Sequence, residues 1–139
     1  MNFVLDTCVL SETIKPRPDK GLVEWLQAQN PDHLFICAIS MGELRNGMDR
    51  LPASKKRHDL LLWLVELTER YSGHFLDFDV ESAFNWGALT ASLAGTGNPM
   101  PSIDAMIAAC TLRYGHTLVT RNERDYCNSG VPLINPWGA

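Results

Sequence analysis

The stretch Asn2-Phe3-Val4-Leu5-Asp6-Thr7 opens with an apolar run that stops abruptly on a carboxylate. Phe3, Val4 and Leu5 leave no polar face between them. Such a segment is buried on both sides, as a strand is when helices cover both faces of a parallel sheet. The pattern recurs at Leu34–Ala38, Phe75–Phe78 and Thr117–Thr120, and more weakly at Leu133-Ile134. Helical stretches separate these runs. Val9–Ile14 reads as a helical turn, stopped by Lys15-Pro16-Arg17-Pro18. Asp19 can cap a helix to about Gln29, with Leu22, Val23 and Leu26 on one face. Ser40 opens a helix to about Arg50, and a long helix spans Ser54 to Tyr71. Asp79 caps a helix ending near Gly95-Thr96-Gly97, and Ser102 caps another that Gly115 closes. Short apolar strands alternating with helices predict an α/β fold with a parallel sheet between two helical layers.

With 139 residues the chain makes one domain able to bury its own core. Its formal net charge of −4 supplies no global positive field, so nucleic acid would have to meet local basic groups. Leu60–Val65, the longest apolar stretch, is too short to cross a membrane. It is apolar nearly all round, which predicts burial on several sides or an interface. No basic, apolar leader precedes Asp6, so the cytoplasm is the expected compartment. The four cysteines form no CxxC pair. Cys8, Cys37 and Cys110 read as buried thiols. His33, His58, His74 and His116 show no metal-ligand spacing, and none has a Ser or Cys beside it for nucleophilic catalysis.

In a parallel α/β sheet, ligands bind beyond the carboxyl ends of the strands. Asp6 follows the first strand directly. Glu43 is expected in the first turn of the helix after the second strand, and Asp104 in the first turn after Ser102. Asn122 and Asp125 follow Thr117–Thr120. Ionised carboxylates drawn into one pocket repel each other, and the usual remedy is a hard cation with oxygen ligands, Mg²⁺ or Mn²⁺. Each residue also has a plain reading. Asp6 can end a strand, Asp104 can favour its helix dipole, and Asn122 and Asp125 can mark a loop. Ser40-Met41-Gly42-Glu43 fits a capping box that would occupy Glu43.

The ordered set of an apolar strand with Asp6-Thr7, Ser40-x-x-Glu43-Leu44, Ser102-Ile103-Asp104-Ala105 and Leu118-Val119-Thr120-Arg121-Asn122-x-x-Asp125-Tyr126 resembles the PIN-domain ribonucleases. It is most similar to the VapC-type toxins of bacterial toxin–antitoxin pairs, FitB-like branch, including the ending Ile134-Asn135-Pro136-Trp137. The resemblance covers nearly the whole chain. It implies a single domain with a four- or five-stranded parallel sheet, and metal-dependent hydrolysis of RNA phosphodiesters. It implies catalytic roles for Asp6, Glu43, Asp104 and Asn122, with Asp6 and Asp104 as principal ligands of Mg²⁺ (or Mn²⁺). Thr7, Thr120 and Asp125 would support them, and Arg45, Arg121 and Arg124 are candidates for RNA binding. It also implies a cognate small antitoxin and a homodimer. Two positions depart from the usual motif. Cys8 stands where an Asn is usual, and Asn122 where many relatives carry Asp. Those departures leave room for a catalytically weak PIN fold that only binds RNA or a partner. A phosphatase of the haloacid-dehalogenase type also begins with a strand and an Asp, but it needs a second Asp at position 8. A receiver-type signalling domain would need a Lys-Pro context after a late strand, which is missing.

Overall fold

The computed structural model of the chain describes residues 1–138. Five strands form one sheet: β1 (Phe3–Leu5), β2 (Leu34–Cys37), β3 (Phe75–Leu76), β4 (Thr117–Val119) and β5 (Leu133–Ile134). All pairings are parallel, in the order β3-β2-β1-β4-β5. The chain therefore starts in the centre, builds outward to β3, and crosses to the other side of β1 for β4 and β5. The reversal falls between β1 and β4, where an open parallel sheet splays its loops and leaves a crevice.

Seven helices cover the sheet: α1 (Thr7–Thr13), α2 (Lys20–Ala28), α3 (Ala38–Asp49), α4 (Lys55–Arg70), α5 (Val80–Gly95), α6 (Ser102–Tyr114) and the single turn α7 (Glu123–Tyr126). The period-two alternation of each strand splits the core. Phe3, Leu5, Leu34, Ile36 and Val119 face one side, with Val9, Leu10, Leu22, Leu44, Met48 and Leu67 from α1 to α4. Val4, Cys37, Leu76 and Leu118 face the other, with Ile107, Ala108, Cys110 and Tyr126. Val4 and Ile36 are fully buried, each worth about 1.5–3 kcal/mol of transfer free energy.

Most expected caps are present. Asp19 accepts from Leu22 N at 3.0 Å, Ser54 from Arg57 N at 3.2 Å and Asp79 from Ser82 N at 2.8 Å. Gly115 closes α6 at φ 69°, a left-handed conformation that a side chain would strain. Two expected caps are corrected. α3 starts straight after β2 with Cys37 in the cap position, so Ser40 lies inside the helix, fully buried, its Oγ without a partner. Pro101, not Ser102, precedes α6. The strand expected over Phe75–Phe78 ends at Leu76. Of the cysteines expected to be buried, Cys37 and Cys110 are, while Cys8 is only half-buried. Leu62 and Val65 leave half their surface outside, so α4 carries apolar side chains away from the core. No helix among the described residues is long and apolar enough to cross a membrane.

Candidate active site

Asp6 ends β1 at the switch point. Its backbone N–H still belongs to the sheet, donating to Val119 O at 3.0 Å. Its side chain caps α1: Oδ1 accepts from Thr7 N at 2.8 Å. Oδ2 accepts from the Thr120 hydroxyl at 2.8 Å, at the end of the neighbouring strand β4. These bonds hold a carboxylate that is only 3% exposed. Burial pushes its pKa up, the bonds from Thr120 and Thr7 and the nearby Tyr126 hydroxyl pull it down, and the charge of Glu43 raises it further.

Asp104 sits in the first turn of α6, as expected. Its pKa is pushed up to about 6, first by burial, then by the negative charges of Asp6, Asp125 and Glu43, against a lowering hydrogen bond from Tyr126. The charges acting on Asp6 and Asp104 are thus of one sign, and no basic side chain among the described residues bonds to either. Glu43 lies in the second turn of α3 rather than the first, because the helix begins at Ala38. The capping box with Ser40 does not form, which leaves Glu43 free of that duty.

Other expected residues fare unequally. Asn122 uses its backbone N–H on the Thr120 hydroxyl at 3.0 Å, while its exposed side chain makes no capping bond. The acidic group that Asp104 feels from this segment is Asp125, one turn on. Arg45 is bound to Asp49 through Nε at 3.0 Å from either oxygen, so its guanidinium is engaged within α3. Arg121 lies over the Trp137 ring, 6.0 Å from its centroid, and Arg124 is exposed. Cys8 Sγ stands 3.8 Å from Asp6 Oδ2 and 3.5 Å from Thr120 Oγ1. It fills the place of the usual Asn with a weak donor, and burial and the Asp6 charge keep it a thiol.

The sequence does not mark Tyr126 as a site residue. It is fully buried, and its hydroxyl donates to Asp104 Oδ1 at 3.3 Å. Position 126 closes the Asn-x-x-Asp-Tyr segment, but no spacing rule reveals where its hydroxyl points.

The donor set suits a hard cation: carboxylate oxygens, the buried Thr7 hydroxyl that has no protein partner, and charges of a single sign. No three His, Cys, Asp or Glu side chains among the described residues are gathered closely enough to enclose an ion.

A groove of ≈ 250 Å³ leads away from this pocket between α1, α3 and α4, with Thr7 and Glu43 at one end and Ile14, Met48, Leu60 and Trp63 along it. It continues past Ile14, Leu60 and Trp63 to Lys55 and Lys56.

The PIN domain family model matches residues 3–128. VapC ribonuclease Y4jK of Sinorhizobium fredii is 33% identical over 136 residues, 97% of each chain. Toxin FitB of Neisseria gonorrhoeae is 29% identical, over 97% of this chain and 98% of its own. The solved structure of FitAB bound to an IR36 DNA fragment contains a chain that superposes with a TM-score of 0.90 at 27% identity, covering 99% of this chain and 96% of that one. With sheet order, acidic switch point and sequence in agreement along its length, the chain belongs to the PIN-domain family.

Proposed function

We propose that the chain is a metal-dependent ribonuclease and the toxin of a toxin–antitoxin pair. The observation that carries the nuclease reading is the un-neutralised pair Asp6 and Asp104 at the sheet's switch point, with Glu43 and Asp125 adding charge of the same sign. Relatives named as a VapC ribonuclease and a FitB toxin support both halves.

Asp6 and Asp104 would hold Mg²⁺, with Mn²⁺ as a substitute. When bound, such an ion supplies a water of lowered pKa and neutralises charge on a phosphate. The chain's own groups do the rest. Thr7 N–H and the Thr120 hydroxyl fix Asp6 in one rotamer. Asp125 and Glu43 keep the rim negative, so a phosphodiester enters only where that charge is balanced. Arg121 and Arg124, both exposed and close in the chain to Thr120, would take flanking phosphates.

The antitoxin would lay an apolar segment along the α1–α3–α4 groove. A basic side chain at its inner end would meet the carboxylates, and acidic groups at its outer end would meet Lys55 and Lys56. The test is expression in bacteria with and without the neighbouring reading frame, mapping new RNA 5′ ends, followed by cleavage with purified protein in Mg²⁺, Mn²⁺ or chelator. Cutting that needs the metal and is silenced by the neighbour is the expected result. Equal cutting in chelator rejects the metal mechanism, and RNA binding without cutting rejects the nuclease.

A further inference from the structure

Tyr126 places a hydroxyl where its ring alone would serve the core. The ring belongs to the core cluster of Val4, Ile107, Leu118 and Val131 on the α6 face of the sheet, and none of the side chain reaches the surface. A phenylalanine would fill that volume equally well. Burying the phenol oxygen costs free energy unless it finds a partner, and its partner is a carboxylate of the pocket. It donates to Asp104 Oδ1 at 3.3 Å, with the Asp6 carboxylate as a neighbouring charge.

The residue is held firmly from behind. Its carbonyl accepts from the Ser129 hydroxyl at 2.6 Å and from Ser129 N at 3.0 Å. Ser129 Oγ in turn accepts from Val131 N at 3.2 Å. The one-turn helix and the chain after it thus form a brace, and the hydroxyl is a donor of fixed position.

We propose that Tyr126 is a positioning residue of the cation site, orienting Asp104, with Asp6 beside it, for a divalent ion. This rests on the proposed reading of Asp6 and Asp104 as ligands and adds a residue to it. The chemistry favours a phenol in this place. A Lys or Arg would neutralise the carboxylates and compete with the ion. A phenol restrains an oxygen through one lone pair, leaves the other lone pair for the ion, and removes no charge. Partners that orient a ligand in this way typically account for about tenfold or more in metal affinity.

The test uses the full chain, with Mn²⁺ as probe. Its dissociation constant is read from the free-ion signal in electron paramagnetic resonance, for the parent and for Tyr126→Phe, with circular dichroism as the control for folding. Weakening of Mn²⁺ binding by about tenfold in a folded Tyr126→Phe is the expected result. A side chain that only fills the core would leave the affinity unchanged. A second measurement needs no change at position 126. Adding Mg²⁺ to the parent should perturb the tyrosine ultraviolet absorbance, and the same addition to Asp104→Asn should not. Mn²⁺ bound equally by parent and Tyr126→Phe overturns the role of Tyr126 and leaves the ion site standing. The absence of a tyrosine perturbation in a parent that binds Mg²⁺ does the same. A parent that binds neither ion overturns this inference and the metal reading together.

Discussion

Asp104→Asn separates charge from shape at the centre of the pocket. The substitution keeps the side-chain outline and leaves Oδ1 to accept from Tyr126, while removing a charge that burial opposes first and Asp6, Asp125 and Glu43 oppose further. Displacement of the Asp104 pKa from 3.8 to about 6 corresponds to about 3 kcal/mol at most. The group is partly exposed, so solvent screening reduces this to about 1–2 kcal/mol. A carboxyl whose folded pKa lies above its unfolded value favours the folded state fully below the unfolded pKa, and that contribution is lost as pH rises through the folded one. In chelator at neutral pH, the variant should therefore melt above the parent by about 3–6 °C for a chain of this size. The gap should close towards pH 4, where the parent's own carboxyl is protonated. Mn²⁺ reverses the order, because it stabilises whichever protein binds it more tightly, and the parent keeps both anionic ligands. Calorimetric melts at the two pH values, with and without Mn²⁺, read all of this, alongside RNA cleavage, which the variant should nearly lose. A variant that melts below the parent in chelator, or a gap that persists at acid pH, would refute the repulsion argument. An equal Mn²⁺ response in both proteins would show that Asp104 is not a ligand.

Three further outcomes follow from the same geometry. Below about pH 6 a cation must displace a proton from Asp104, so apparent Mn²⁺ affinity should fall about tenfold per pH unit; an affinity that is flat from pH 5 to 7 would contradict this. Cys8→Asn puts an amide donor where the thiol stands 3.8 Å from Asp6 Oδ2. It should raise cleavage at mildly acid pH by up to about tenfold, the equivalent of one charge-assisted hydrogen bond, and unchanged pH–rate profiles would show that position 8 does not act on Asp6. Ile14 is partly exposed on the groove, so Ile14→Glu should abolish co-purification of the antitoxin without altering cleavage by the free chain; retained capture would mean that the partner docks elsewhere.

The strands were legible because runs such as Phe3-Val4-Leu5 admit no other burial, and so was the placement of Asp6 and Asp104 at the carboxyl edge. The errors lie where local preference met tertiary constraint. Ser40 is the better capping residue, yet β2 runs directly into α3, so Cys37 takes the cap position and the serine is drawn inside. Asp79 caps α5 as expected, while the carbonyl of Asp77 accepts from the Tyr114 hydroxyl rather than from a strand, and β3 ends at Leu76. Asn122 enters the set through the family resemblance, with Asp125 in support. The single turn of α7 brings Asp125 close enough for its charge to act on Asp104, and Tyr126 close enough to donate to it. Tyr126 is illegible for a simpler reason: the partner of its hydroxyl, Asp104, lies on another helix, and only the packing of α7 on α6 brings them together.

The first strand to be synthesised is the middle strand of the sheet, and this governs when the enzyme can come into being. β1 has no neighbour on one side until β4 exists, and Asp6 lacks its support from Thr120 until then. A nascent chain on the ribosome therefore carries Asp6 and Glu43 for most of its synthesis without a working pocket. Pairing across so long a sequence separation is slow to close. The harmful activity should thus appear late and all at once, after α6 and β4 have emerged, whereas α1, α3 and α4, which line the groove, are complete by Arg70. An inhibitor already waiting in the cell would find that groove made before the catalytic centre is.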